Sequence, residues 1–278
     1  MKSNPSDYDL PVEFADAIAR ARPRLGRLGS TILFHASIGS TNDAAASRAA
    51  ARSPERLALQ PSPEGLVVFA DEQTAGRGRR GHTWFSPPGS GLYVSVVLAP
   101  GRARVDPERA TRLLTLAVGV ALADAVEAAA GLRVDLKWPN DLYVARRKLA
   151  GILAEAAGDA VVVGYGVNVT AASFPPDLRD RATSLESELG RACDRAVLFA
   201  ETLAALDARY ADLLEGRFDA ILDAWRRRAP SAHGGRVRWT TPDGEASGVT
   251  AGIDDEGALL VRVGERIERI VAGELRWD

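Results

Sequence analysis

The stretch that most constrains this chain runs from Asp71 to Val96, DEQTAGRGRRGHTWFSPPGSGLYVSV. An apolar run, Leu66 to Ala70, leads into it, and a second, Leu92 to Leu98, leads out. Two buried strands are therefore joined by a long polar excursion. Gly76, Gly78, Gly81, Gly89 and Gly91 alternate there with Arg77, Arg79 and Arg80. Glycine lets backbone come close to a ligand, and arginine offers a fork of donors that suits carboxylate and phosphate. Gly76, Gly78 and Gly81 match the spacing of a dinucleotide fingerprint, but that fingerprint must open a helix. His82-Thr83-Trp84-Phe85-Ser86-Pro87-Pro88-Gly89 cannot start one. No Gly-Lys-Ser/Thr follows, so this is not a phosphate loop of the Walker type. Three readings stay open at this point: an arginine–aromatic contact to nucleic acid, a loop that orders over a small anion, and a solvated basic hairpin.

Composition narrows these. Lys+Arg 35 against Asp+Glu 37 leaves a formal net charge of -2, without the basic excess usual in general nucleic-acid binders. The single cysteine, Cys193, excludes an intramolecular disulfide, and His35, His82 and His233 do not space as metal ligands. The N-terminus lacks an apolar signal core, and no segment is expected to reach the length of a membrane span. The expectation is a soluble cytoplasmic protein.

Patterning then places the elements. Residues 1 to about 9 are expected to be disordered, and Leu10 to Leu25 to form one short helix; residues 1–30 thus precede the first domain. Thr31 to His35 reads as a strand. Ser40, Thr41 and Asn42 stand where a helix N-cap belongs, and hydroxyls and amides at that place can also hold a polar ligand. Pro61 to Gly65 reads as a surface loop. Asp106 and Pro107 open a long helix that ends at Gly131. A strand from Val134 to Trp138, a hairpin around Ala145 to Arg147, and a central strand from Ala160 to Val169 follow. Ala171 to Leu189 reads as a proline-containing loop, followed by helices over about 194–214 and 218–228. Short strands separated by Pro242-Asp243-Gly244, Asp254 to Gly257 and Gly264 complete the chain as a small antiparallel β barrel or half-barrel. The domain boundaries are set at 31–230 and 231–278.

A second polar cluster, Lys137-Trp138-Pro139-Asn140-Asp141 with Lys148 and Gly151, is bounded by apolar strands. It is compatible with an ordinary turn and solvated lysines, or with a site for Mg²⁺ and a triphosphate, since magnesium is held by one or two carboxylates plus substrate phosphates. Taken with the arginine loop, it suits the joining of two anions whose repulsion must be neutralised before in-line attack.

GRGRRG followed by TWFSPPGSGLYVS, KWPND with a lysine shortly after and GIL behind it, and GYGVNV together resemble the biotin protein ligase family. The resemblance runs from about Phe34 to Asp278, including GID and GEL in the C-terminal part. It implies an α+β fold: a catalytic domain like that of class II aminoacyl-tRNA synthetases, with a mixed sheet and flanking helices, followed by an SH3-like barrel. The implied activity is conversion of biotin and MgATP to biotinoyl-5′-AMP and pyrophosphate, then transfer to a lysine of a biotin carboxyl carrier protein domain.

By the same resemblance Ser40, Thr41, Asn42, Gln73, Arg77, Gly78, Arg79, Lys148 and Gly151 are expected around biotin. Arg79, Arg80, Trp84, Lys137, Asn140 and Asn168 are expected around the nucleotide. Lys148, Arg79 and Asp141 are expected at the chemistry, with Asp141 serving metal or acceptor amine. No tightly bound cofactor is implied. His82 departs from the family, whose loop often has another arginine there, so weaker loop electrostatics are expected. The stretch before the first strand has no room for a helix-turn-helix domain, so no operator binding is expected. Sheet-edge homodimers occur in relatives and are possible here. Competing readings are a lipoate or octanoate ligase of the same fold, a non-catalytic biotin sensor, and a nucleic-acid-binding module.

Overall fold

The structure is a computed structural model that describes residues 9–50, 63–241, 244–273 and 275–277. The disorder expected for the first residues therefore lies almost wholly outside the described residues, as do parts of the loops expected at 61–65 and 242–244. In chain order the elements are α1 (Val12–Ala21), β1 (Thr31–Ile38), α2 (Thr41–Ala50), β2 (Leu66–Gln73), β3 (Gly91–Leu98) and α3 (Pro107–Ala130). They continue with β4 (Asp135–Lys137), β5 (Asp141–Val144), β6 (Arg147–Ala157), β7 (Ala160–Asn168), α4 (Leu185–Leu189), α5 (Arg195–Leu214) and α6 (Phe218–Arg228). The last are β8 (His233–Thr241), β9 (Gly244–Ile253), β10 (Leu259–Val263), β11 (Arg266–Ile270) and β12 (Arg276–Trp277).

The first seven strands form one sheet in the order β1-β2-β3-β7-β6-β5-β4. Only β1 and β2 pair in parallel, which fits the crossover through α2; the remaining pairs are antiparallel. Alternation along the strands sorts side chains onto two faces. Val67, Phe69, Val94, Val96, Val163 and Val167 turn to the main core, shared with α1, α3, α5 and α6. Val68, Val97 and Val162 turn the other way and pack with Ala45 of α2. The helix α2 covers only part of that second face, and the rest of it carries the site described below.

The helix α3 has the ends its sequence announces. The Asp106 side chain accepts from the Arg109 amide at 2.9 Å, Pro107 opens the helix, and Gly131 closes it at φ 70°. One expectation is corrected here: α3 is 24 residues long and apolar enough, by length and composition, to cross a membrane. Its leucines and valines and most of its alanines are buried, largely against α5 and α6, so its apolarity is that of a core helix wrapped on most sides.

Three other expectations change. The first helix stops at Ala21 and tightens into a 3₁₀ turn over Arg22–Arg24. Pro23 has no amide hydrogen to donate and its ring crowds the preceding turn. The first strand runs on to Ile38 because β2 pairs with it throughout. The segment read as a loop from Ala171 to Leu189 contains α4, capped by Ser184, whose Oγ accepts from the Ser187 amide, and closed by Gly190 at φ 66°.

The second sheet is antiparallel in the order β11-β10-β9-β8-β12. Its strand β12 is absent from the pattern-based reading, being only two residues long. Val237, Leu259 and Val261 join the same hydrophobic core as the larger sheet. Trp138 ties the two together by donating its indole N–H to the Gly257 carbonyl at 3.0 Å.

A buried polar joint braces the edge of the core. The Tyr210 hydroxyl accepts from the Ala99 amide at 2.8 Å and donates to Glu64 at 2.7 Å, and Glu64 also meets Arg27 and Arg102. Burial pushes the Tyr210 phenol pKa up, so the hydroxyl stays protonated as a donor. Tyr210→Phe leaves an amide and a carboxylate short of a partner and is expected to cost about 1–3 kcal/mol. Urea unfolding should show this as a lower midpoint with an unchanged slope.

Candidate active site

One cross-strand row organises the site. Tyr93 on β3 pairs with Gly166 on β7, Gly166 with Gly151 on β6, Gly151 with Asp141 on β5, and Asp141 with Lys137 on β4. Residues paired across a sheet point to the same face. Motifs far apart in sequence thus line up as glycine, glycine, carboxylate and ammonium across the floor of a cleft of about 680 Å³.

Lys148 needs a special device to join this row. It lies three residues before Gly151, and strict alternation would turn it to the opposite face. The β5–β6 pairing shifts register between Leu142 and Tyr143, so Tyr143 pairs with Lys148 while Leu142 pairs with Ala150. Such an irregularity re-aims a side chain. Here the Lys148 Nζ reaches Asp141 Oδ1 at 2.7 Å. The approach is an ion pair rather than an aligned hydrogen bond, and Asp141 Oδ1 is buried without a hydrogen-bond partner among the described residues.

The head of the cleft is a buried polar network. Gln73 Oε1 accepts from the Thr41 amide at 2.9 Å and from its hydroxyl at 3.1 Å, while Gln73 Nε2 donates to Ser86 Oγ. Ser95 Oγ lies 2.8 Å from Thr41 Oγ1 and 2.6 Å from Asn42 Oδ1, close enough to donate its one hydrogen to either, and Asn42 Nδ2 donates to Glu155 at 2.7 Å. Ser40, Thr41 and Asn42 are each 4% exposed. They open α2, so the cap residues also line the cleft.

The glycine–arginine loop is a short hairpin laid over this floor. The Gly78 amide donates to the His82 carbonyl at 2.6 Å and the Trp84 amide to the Gly76 carbonyl at 2.9 Å. Arg80, at φ 54°, turns the tip. Arg77 is tied down by Asp43 at 2.7 Å and Glu155 at 2.8 Å. Arg79 donates to Asn140 Oδ1 at 3.0 Å, and Asn140 Nδ2 donates to the Ile152 carbonyl at 2.7 Å, which joins the two charged motifs.

Trp84 lies on the glycine floor. A methyl group on Gly166 would stand 2.3 Å from its Nε1, and one on Gly151 would stand 3.1 Å from its ring. The indole N–H is buried with no acceptor among the described residues. Its ring also sits 5.5 Å from the Lys148 ammonium.

All the sequence-predicted residues line this one cleft: Ser40, Thr41, Asn42, Gln73, Arg77, Gly78, Arg79, Arg80, Trp84, Lys137, Asn140, Asp141, Lys148, Gly151 and Asn168. Asn168 has a bracing task as well, donating to the Thr183 carbonyl at 3.0 Å. Lys137 lies at the cleft's far end between Tyr143 and Trp277. Burial lowers its pKa, against the opposing pull of Asp141, while Lys148 and Arg146 lower it further.

Sequence reasoning missed Ser95, Ser86, Glu155 and Trp277. Ser95 had a signal: it is the one serine inside the apolar run from Leu92 to Leu98. Glu155 had none, because its partners come from α2 and the loop.

Comparison with known proteins agrees with this architecture. Residues 37–169 match the Biotin/lipoate A/B protein ligase family, and residues 232–275 the Biotin protein ligase C terminal domain. The biotin--[acetyl-CoA-carboxylase] ligase of Mycobacterium tuberculosis is 37% identical over 86% of this chain and 86% of its own length. The bifunctional ligase/repressor BirA of Bacillus subtilis is 35% identical over 89% of this chain and 74% of its own. Among solved structures, the biotin protein ligase from Aquifex aeolicus in complex with biotin and ATP superposes with a TM-score of 0.73 at 28% identity, covering 90% of this chain and 99% of that one. With both family matches in order along the sequence and the cleft motifs on one sheet face, the chain belongs to the biotin protein ligase family.

Proposed function

We propose that this protein activates biotin with MgATP and transfers it to one lysine of a biotin carboxyl carrier protein domain. In the first step a biotin carboxylate oxygen bonds to the α-phosphorus of ATP, and the bond to the bridging oxygen breaks. Pyrophosphate leaves with that electron pair. In the second step the carrier amine bonds to the biotin carbonyl carbon, loses a proton, and AMP departs with the electrons of the anhydride bond.

The observation that carries this reading is the row Gly166–Gly151–Asp141–Lys137 with Lys148 turned into it. Its two glycines supply a flat floor, on which the Trp84 indole rests, beside two ammonium groups. The Aquifex relative, solved in complex with biotin and ATP, supports the same ligand pair here. The hydroxyls and amides of Ser40, Thr41, Asn42 and Gln73 suit the polar ureido head, which offers both donors and a carbonyl acceptor. Lys148 and Arg79 stabilise charge building on the attacked phosphate. Arg80, Asn140, Lys137 and Asn168 serve the nucleotide side, and the orphan Trp84 N–H offers one more donor there. Asp141 orients Lys148 and keeps acceptor capacity for Mg²⁺ of the substrate complex or for the incoming amine.

The loop closes over a labile mixed anhydride and keeps water from it. Arg79→Ala removes the tie to Asn140 and is expected to raise release of free adenylate at least tenfold, with bystander lysines biotinylated. Filtration of adenylate from a single turnover checks this; parent-like retention removes Arg79 from the clamp. The function itself is tested by intact-mass analysis of a carrier domain incubated with enzyme, biotin and MgATP. The expected product carries one biotinoyl group on a single lysine, and an unmodified carrier overturns the transfer step.

A further inference from the structure

The Lys137 ammonium lies at the end of the cross-strand row, on β4, which is three residues long and has no strand beyond it among the described residues. Its cross-strand partner Asp141 is engaged by Lys148 instead. Among the described residues no carboxylate forms an ion pair with Lys137. What holds it is aromatic: the Tyr143 ring centroid is 4.4 Å from Nζ, the Trp277 ring centroid is 5.4 Å away, and the Tyr143 hydroxyl is 3.4 Å away. Cations are attracted to the faces of such rings, more strongly where water is excluded.

The two rings come from different sheets. Tyr143 is on β5, the neighbour of β4, whereas Trp277 is on β12. Pairing of Trp277 with Val237 and of Arg276 with Arg238 fixes β12 against β8. Trp277 lines the same cleft as Lys148 and Trp84. The smaller sheet therefore closes the flank that the edge strand β4 leaves open.

We propose that Trp277 is a positioning residue for adenylate formation, completing with Tyr143 an aromatic cage that holds the Lys137 ammonium against the phosphates of bound ATP. The cage keeps one ammonium away from Asp141, so that Lys137 and Lys148 address different parts of the nucleotide. This inference rests on the reading of Lys137 as a nucleotide-side cation.

The test uses the full chain with Trp277→Leu, which keeps apolar bulk and removes the ring, and with Trp277→Phe, which restores a ring. Lysine amines are methylated with ¹³C-formaldehyde, and the Lys137 methyl resonance is assigned by its loss in Lys137→Arg. The parent resonance is expected upfield of exposed lysines through the ring currents, Trp277→Leu should lose most of that displacement, and Trp277→Phe should regain part of it. A parent resonance at the exposed-lysine position, or one unmoved by Trp277→Leu, overturns the cage.

In biotin-dependent pyrophosphate exchange, Trp277→Leu should raise KM for MgATP about tenfold, the size of one partly desolvated cation–π contact, with KM for biotin changed less than twofold. In a Lys137→Met background the same substitution should add nothing. An undiminished effect there shows a merely structural role. Absence of exchange in the parent would sink the ligase reading instead, and the resonance alone would then decide the cage.

Discussion

Lys148→Met is expected to lower the rate of adenylate formation by on the order of 10³-fold, as loss of a preorganised donor to developing charge does. The lysine is held in the row by a register shift and by Asp141 at 2.7 Å. Methionine keeps the length and apolar stem while removing the charge. The variant also leaves the Asp141 carboxylate, 20% exposed, without its cation. Removing one partner of a partly buried pair destabilises, so the midpoint of unfolding should fall as well. Stopped-flow or quench measurement of biotinoyl-AMP in a single turnover separates the two effects, because the folded fraction is measured alongside. A variant that forms adenylate at the parent's rate would take Lys148 out of the chemistry.

Gly166→Ala should also be damaging, although it adds a single methyl group. That methyl would lie 2.3 Å from Trp84 Nε1 and 2.4 Å from Cε2, separations no packed atoms tolerate. The floor is a central strand paired on both sides and cannot retreat. The indole must leave, and the hairpin from Gly76 to Trp84 opens with it. Overpacking of this kind costs about 1–3 kcal/mol, and here the cost falls on the closed loop rather than on the fold. The expected results are a 10- to 100-fold loss of kcat/KM, about what those energies convert to, and faster tryptic cleavage after Arg79 and Arg80. Global unfolding should stay near the parent's. Unchanged cleavage and activity would mean that Trp84 does not rest on Gly166.

Much of this was legible in the chain itself. The apolar runs from Leu66 to Ala70 and from Leu92 to Leu98 announced strands, and Asp106, Pro107 and Gly131 announced α3, because each signal is local. The two charged motifs were recognisable as a pair because two cationic loops and a carboxylate together suit the joining of two anions. What stayed hidden depends on pairing between distant segments. Alternation would have turned Lys148 away from Gly151, and only the shift in β5–β6 register turns it back. Glu155 holds Arg77 and Asn42 because α2 crosses above β6, a packing relation without a sequence spacing. Trp138 was read with the charged motif, yet its indole anchors the second sheet through Gly257. Trp277 reaches the cleft by way of a two-residue strand, too short to leave a periodic trace.

The proposed function requires this cleft to activate biotin at the α-phosphate of ATP. Exchange of labelled pyrophosphate into ATP tests it most directly, run with biotin, lipoate and octanoate at matched concentrations in the presence of Mg²⁺. Exchange is expected with biotin alone, at least a hundredfold above the rate without acid, and is expected to be lost in Lys148→Met. Exchange driven by lipoate or octanoate, or no exchange with any acid by a folded sample, would contradict it.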